Sequence, residues 1–147
     1  TFNVFKMLHN DQLFAYGTLT FHEVMFHLIG REVSSKGAII KGYSAYMIKG
    51  KNFPGLRINT KASRTEGILY SGLEEADWEI LDQFEDSFYQ REVLSVNLND
   101  GSKEDAYTYL IHSENYSILS KHQWNSNYFE ENFLDSYLNM ILGFNKN

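Results

Sequence analysis

The residues best suited to chemistry lie in Leu81-Asp82-Gln83-Phe84-Glu85. Trp78, Leu81 and Phe84 fall three apart and set an apolar stripe along a short helix, and Glu85 follows on its closing turn. Phe88 and Tyr89 come next, so an ionisable carboxyl sits among aromatic groups at a helix-to-strand junction. A carboxylate stripped of water there has its pKa lifted toward neutrality, where one group can both take and give a proton. Taken alone, the stretch has a commoner reading as a solvated acid at a helix end.

A second candidate is the short run Leu13-Phe14-Ala15-Tyr16, which reads as a buried strand running into Gly17-Thr18-Leu19 before a helical pattern begins. A strand that ends on glycine before a helix exposes adjacent N–H groups that can hold an anion, and Gly17 allows close approach. The plainer alternative is a turn that binds nothing. A metal centre is not expected. His22 and His27 lie about 140° apart around a helix, and His9, His112 and His122 have no ligand-like spacing.

The elements that must position these residues follow from pattern. Residues 21–29 are helical, with Gly30 as the stop. Residues 38–48 are β-like, with Gly42 marking a bulge or bend that curls a sheet and suggests a barrel. Phe53-Pro54-Gly55 reads as a turn able to wall a cleft, or as a simple connection. A short strand at 56–59 and a firmer one at 67–73, buried on both faces, precede the Glu85 helix. That helix begins near Glu75, with Glu74, Glu75 and Asp77 in its first turn. Strands follow from Tyr89 to Leu98 and from Ala106 to Ile111 around an Asn99-Asp100-Gly101 turn. From Asn127 onward, Phe129, Phe133, Tyr137, Met140 and Ile141 predict one amphipathic helix, capped by Asn127 and Glu130, that closes the fold without taking part in chemistry. Residues 114–126 give no firm pattern.

Composition narrows the function classes. The 147 residues fit a single domain, 1–147, and 43% apolar residues suffice for a core rich in its 11 Phe and 10 Tyr. Thirteen basic against 19 acidic side chains give a net charge of -6, which disfavours nucleic acid and anionic lipid as partners. The absence of cysteine removes disulfide and thiolate chemistry. No membrane-length apolar run or signal-like opening is present, so a cytoplasmic protein is the expectation, with processing of a leader left open because the first residue is Thr1.

In order along residues 13 to about 110, Phe14-Ala15-Tyr16-Gly17-Thr18-Leu19, Gly30-Arg31, Gly42-Tyr43, Lys49-Gly50, Phe53-Pro54-Gly55, Gly67-Ile68-Leu69-Tyr70-Ser71-Gly72-Leu73, Leu81-Asp82-Gln83-Phe84-Glu85 and Tyr89-Gln90-Arg91 together resemble the γ-glutamylcyclotransferase-like superfamily. The likeness is to its short branch of plant avirulence-induced proteins and γ-glutamylamine cyclotransferases. It implies an α+β fold, a small mixed β-barrel with flanking helices and a cavity at one end. It also implies a cofactor-free enzyme that cyclises a γ-glutamyl group to 5-oxoproline and releases an amine, an acyl transfer of lyase type. Glu85 matches the general acid/base. Tyr16, Gly17, Thr18 and Leu19 match the substrate-gripping loop, with Thr18 where many relatives have Ser, and Tyr89 matches a pocket tyrosine. Arg31, Tyr43 and Phe53-Pro54-Gly55 match scaffold and rim. The implied partner is a small γ-glutamyl compound. The sequence leaves open the leaving amine, the oligomeric state, a non-catalytic module that binds a small ligand in the same cavity, and γ-glutamyl removal during natural-product biosynthesis.

Overall fold

The computed structural model describes residues 11–61 and 63–145; His9 lies outside them. The chain runs β1 (Leu13–Ala15), a 3-10 turn (Thr18–Thr20), α1 (His22–Ile29), β2 (Ser34–Lys41), β3 (Tyr43–Ile48), β4 (Pro54–Ile58), β5 (Arg64–Ser71), α2 (Glu75–Phe84), β6 (Tyr89–Leu98), β7 (Lys103–Ile111), a second 3-10 turn (Ser113–Ile118), β8 (Leu119–Gln123), α3 (Ser126–Asn132) and α4 (Leu134–Asn145). Five strands close a barrel in the order β1-β5-β2-β6-β7, and β4-β3-β8 form a separate sheet. The fold is therefore α+β, a barrel with flanking helices. No helix among the described residues is long and apolar enough to cross a membrane.

Period-two alternation in β1 explains its unbroken apolar run. Leu13 and Ala15 join a core shared with Val24, Met25 and Leu28 of α1, Trp78 and Leu81 of α2, and Phe129 and Ile141 of the C-terminal helices. Phe14 and Tyr16 point the other way, into a barrel core with Ile40, Leu56, Leu69, Val96 and Leu110. The strand is buried on both faces because helices cover one of them. At Gly67 that packing leaves no room for a side chain, since an added Cβ would lie 2.2 Å from the Ala15 carbonyl and 2.7 Å from Phe14 Cζ.

Gly42, at φ 83°, is the bend expected in the middle of residues 38–48, and there the chain leaves the barrel for the second sheet. Several expectations need correction. Pro54-Gly55 is no turn: the reversal falls at 49–52, with Gly50 at φ 74°, and Pro54 opens β4. That strand lies at the edge of its sheet, where proline costs no ladder bond. Strand β5 begins at Arg64, and its first residues are exposed or half-buried, so both-face burial holds only toward its end. The C-terminal stripe is two helices. Asn125, not Asn127, caps the first by accepting the Tyr128 amide at 3.0 Å, and Phe133, at φ -132° and ψ -15°, interrupts the run. Residues 114–126, which give no firm pattern, hold most of the second 3-10 turn, all of β8 and the start of α3.

Helix α2 carries its own starting device. The Glu74 and Asp77 side chains form a capping box, and Asp77 also pairs with Arg31, whose guanidinium reaches the Gly72 carbonyl at 3.2 Å. Burial of Asp77 is tolerable because both partners satisfy it. Its far end delivers Glu85.

Candidate functional site

Glu85 is the residue where α2 stops. Its amide still bonds the Leu81 carbonyl at 3.0 Å, while its own backbone has turned extended, at φ -74° and ψ 142°. The side chain thereby enters a cavity of about 320 Å³, lined from β1 and its following loop by Phe14, Tyr16, Gly17, Thr18 and Leu19, from the β4 approach by Phe53 and Pro54, and from the α2 exit by Phe84, Glu85 and Asp86. Tyr89, Tyr109, Tyr137 and Met140 also line it. All six residues singled out by resemblance, Tyr16, Gly17, Thr18, Leu19, Glu85 and Tyr89, thus face one space.

Electrostatics single out the acid. Loss of hydration raises the Glu85 carboxyl from 4.5 to about 8, with the charges of Asp86 and Asp82 adding to the shift. Glu85 keeps part of its surface open toward the cavity, so protein crowds it without sealing it off. Near neutrality such a group holds its proton in most molecules, and it ionises readily when a cation arrives beside it. Phe88, expected beside Glu85, instead stacks on Phe53 at 6.5 Å, in a third cluster with Ile48, Ile111 and Leu119. The rings that share the acid's cavity include Phe84 and four tyrosines, one from the loop after β1 and one each from β6, β7 and α4.

The loop is fixed through its carbonyls. Thr20 donates its amide and its hydroxyl to the Gly17 carbonyl at 3.1 and 2.6 Å, the Phe21 amide takes the Thr18 carbonyl at 3.3 Å, and the buried Tyr70 hydroxyl takes the Leu19 carbonyl at 2.6 Å. The N–H groups that open a 3-10 turn have no acceptor within it. They are the donors this loop can offer. Gly17 is needed for close approach, and the neighbour is within the protein: a Cβ there would stand 2.8 Å from Pro54 Cγ.

Three of the lining tyrosines are braces. The Tyr16 hydroxyl donates to the Tyr109 carbonyl at 2.6 Å and accepts the Leu56 amide at 3.1 Å. Tyr89 donates to the Pro54 carbonyl, and Tyr109 to Asp82 Oδ1 at 2.7 Å. Burial raises all three phenols above their usual pKa, with the nearby Glu85 charge adding to each. They therefore stay protonated and serve the cavity as walls. Arg31 and Tyr43 do not line it.

Pattern reasoning missed Tyr109, Tyr137 and Met140. Tyr137 and Met140 belong to α4, so the C-terminal helix lines the site as well as closing the fold. The Tyr137 hydroxyl lies 3.1 Å from Thr18 Oγ1. Alternation along β7 was the available signal for Tyr109, whereas Tyr137 looked like one more member of an apolar stripe.

The model of the family described as gamma-glutamyl cyclotransferase, AIG2-like, matches residues 13–126. AIG2-like protein D of Arabidopsis thaliana is 31% identical over 96 residues, 65% of this chain and 62% of that protein. AIG2-like protein C of the same plant is 29% identical over 92 residues, 63% of this chain and 53% of that one. The matches thus span less than two thirds of those relatives' lengths. Among solved structures, an Arabidopsis thaliana protein determined in solution superposes with a TM-score of 0.68 at 20% identity, covering 90% of this chain and 89% of the other. A gamma-glutamyl cyclotransferase superposes at 0.61 and 14% identity, covering 90% and 86%. At these identities the structural likeness is one of fold.

Proposed function

The chain belongs to the gamma-glutamyl cyclotransferase, AIG2-like family, and on that premise we propose that it cyclises a γ-glutamyl group to 5-oxoproline and releases an amine, with Glu85 as general acid/base. The observation that carries this reading is the half-buried Glu85 carboxyl, raised to about 8, in the same cavity as the Gly17-Thr18-Leu19 loop.

The proton path needs one group. The substrate enters with its α-amine as an ammonium, whose charge beside Glu85 favours the carboxylate. Glu85 takes a proton, and the freed amine attacks the γ-carbonyl carbon to give a tetrahedral adduct. The new ring nitrogen sheds a second proton while the departing nitrogen receives one through Glu85, the old C–N bond breaks, and 5-oxoproline and the amine remain. Attack is intramolecular, so the cavity's task is to hold the glutamyl chain folded. The loop N–H groups supply donors for glutamyl oxygens. Tyr16 and Tyr89, their hydroxyls spent on backbone carbonyls, act as walls.

The test is a panel of γ-glutamyl amines, amino acids and glutathione, read by 5-oxoproline release. Wild-type protein should release it from at least one, and Glu85→Gln should bind that compound with turnover reduced at least about a thousandfold. Absence of release from every compound by the wild type would refute the proposal and leave the cavity as a binding site only.

A further inference from the structure

A γ-glutamyl substrate brings a full negative charge, its α-carboxylate, into a cavity whose charged lining residues are Glu85 and Asp86, both acids. Among the described residues no Lys or Arg lines that space. A carboxylate there must be held by neutral donors. Of the four tyrosines on the wall, three have their hydroxyl protons committed: Tyr16 to the Tyr109 carbonyl, Tyr89 to the Pro54 carbonyl and Tyr109 to Asp82. Tyr137 differs. Its hydroxyl meets another hydroxyl, Thr18 Oγ1, at 3.1 Å. Two hydroxyls carry two protons and share one bond, so one proton is left over.

Facing an anion, the more acidic phenol is the better donor, and Thr18 donating into Tyr137 Oη strengthens it further. The ring is already placed: Phe84 meets it edge-on at 6.1 Å and Phe129 at 5.4 Å. Phe84 directly precedes Glu85, so acid and phenol are held by one packing unit. The amine and the carboxylate of a glutamyl group share a carbon, which requires their two recognition groups to be neighbours.

We infer that Tyr137, on a helix beyond the residues matched to the family, is a substrate-binding residue that donates its hydroxyl proton to the α-carboxylate of the γ-glutamyl group, backed by Thr18. This rests on the proposed substrate class and adds to it a contact made from the start of binding.

The experiment compares γ-glutamyl benzylamide with 4-aminobutyryl benzylamide, which lacks only the α-carboxylate, by calorimetry on Glu85→Gln and on Glu85→Gln/Tyr137→Phe. The phenol-to-phenyl change should weaken the first ligand about tenfold, as for a hydrogen bond to a charged group, and leave the second unchanged within about twofold. In an otherwise wild-type background, Tyr137→Phe should raise KM with kcat nearly unchanged. Equal weakening of both ligands, no weakening, or a fall in kcat at constant KM overturns the inference. Binding of neither ligand to Glu85→Gln overturns it together with the proposed function. Selective weakening in a protein that releases no 5-oxoproline keeps the carboxylate contact and removes only the reaction.

Discussion

The Tyr109 hydroxyl donates to Asp82 Oδ1 at 2.7 Å, joining barrel strand β7 to the last turn of α2 three residues before Glu85. Arg91 of β6 grips the same carboxylate at 3.0 Å while its guanidinium lies over the Trp78 and Tyr107 rings. The end of the helix is thus pinned to two adjacent strands. The pins fix where the acid stands.

Removing one pin should loosen the acid more than the fold. Tyr109→Phe is expected to cost about 1 kcal/mol of stability, a typical net hydrogen bond, and to lower kcat/KM about tenfold through misplacement of Glu85. Thermal unfolding and 5-oxoproline release check the two numbers. A large loss of stability with intact activity would contradict this role.

Glu85 should make stability fall as pH rises. Its folded pKa of about 8 lies above the ordinary glutamate value of 4.5. The native state therefore holds a proton that the unfolded state has lost between those two values. Relative to Glu85→Gln, the wild type should be equally affected at and below pH 4, lose stability progressively from about pH 4.5 to 8, and lose no more above it. With allowance for its partial exposure, the span is about 1–3 kcal/mol. Denaturant unfolding of both proteins from pH 4 to 9 measures it, and a gap that fails to widen over that range would refute the assignment.

The rate should carry the same group. For the free enzyme, kcat/KM is expected to rise with pH through a limb near 8, since the base must shed its proton before substrate can use it. In kcat the limb should move down, because the bound ammonium favours the carboxylate. Profiles from pH 5 to 9 distinguish these, and a pH-independent kcat/KM would exclude a proton-transfer role for a group of this pKa.

Gly17→Ala should act at the cavity wall. The added methyl meets the rigid Pro54 ring at 2.8 Å, so the loop or the β4 entry must shift, at about 1–3 kcal/mol. Raised KM is the expected readout. Gly67→Ala, with its methyl 2.2 Å from the Ala15 carbonyl, should cost at least as much stability through the barrel itself, and comparing the two unfolding curves with their KM values separates site from scaffold.

Helix α2 was legible because its stripe, its first-turn acids and its terminal Glu85 obey local rules, and local rules act within a turn or two. Gly42 was legible as a bend, yet nothing local reveals that the strands it separates belong to different sheets. Phe133 broke the C-terminal stripe invisibly: Phe129, Phe133 and Tyr137 keep a helical spacing through an interruption of the backbone. Tyr137 shares that spacing and so has the pattern of a core residue. Its ring does pack on Phe129, and only the fold reveals that the same residue lines the cavity and brings its hydroxyl to Thr18. Phe88, adjacent in sequence to Tyr89, was drawn elsewhere by Phe53, a partner 35 positions away.

Strand β1 meets β5 through three register pairs but β7 through one, Leu13 opposite Tyr107. The join is reinforced by the Tyr107 amide on Gln12 and the Thr108 hydroxyl on Phe14. A seam this short is where the cylinder should breathe, so amides flanking it ought to exchange with deuterium sooner than those along the nine-pair β6–β7 ladder. Because that same strand feeds directly into Gly17, each opening of the seam would also slacken the grip beside Glu85.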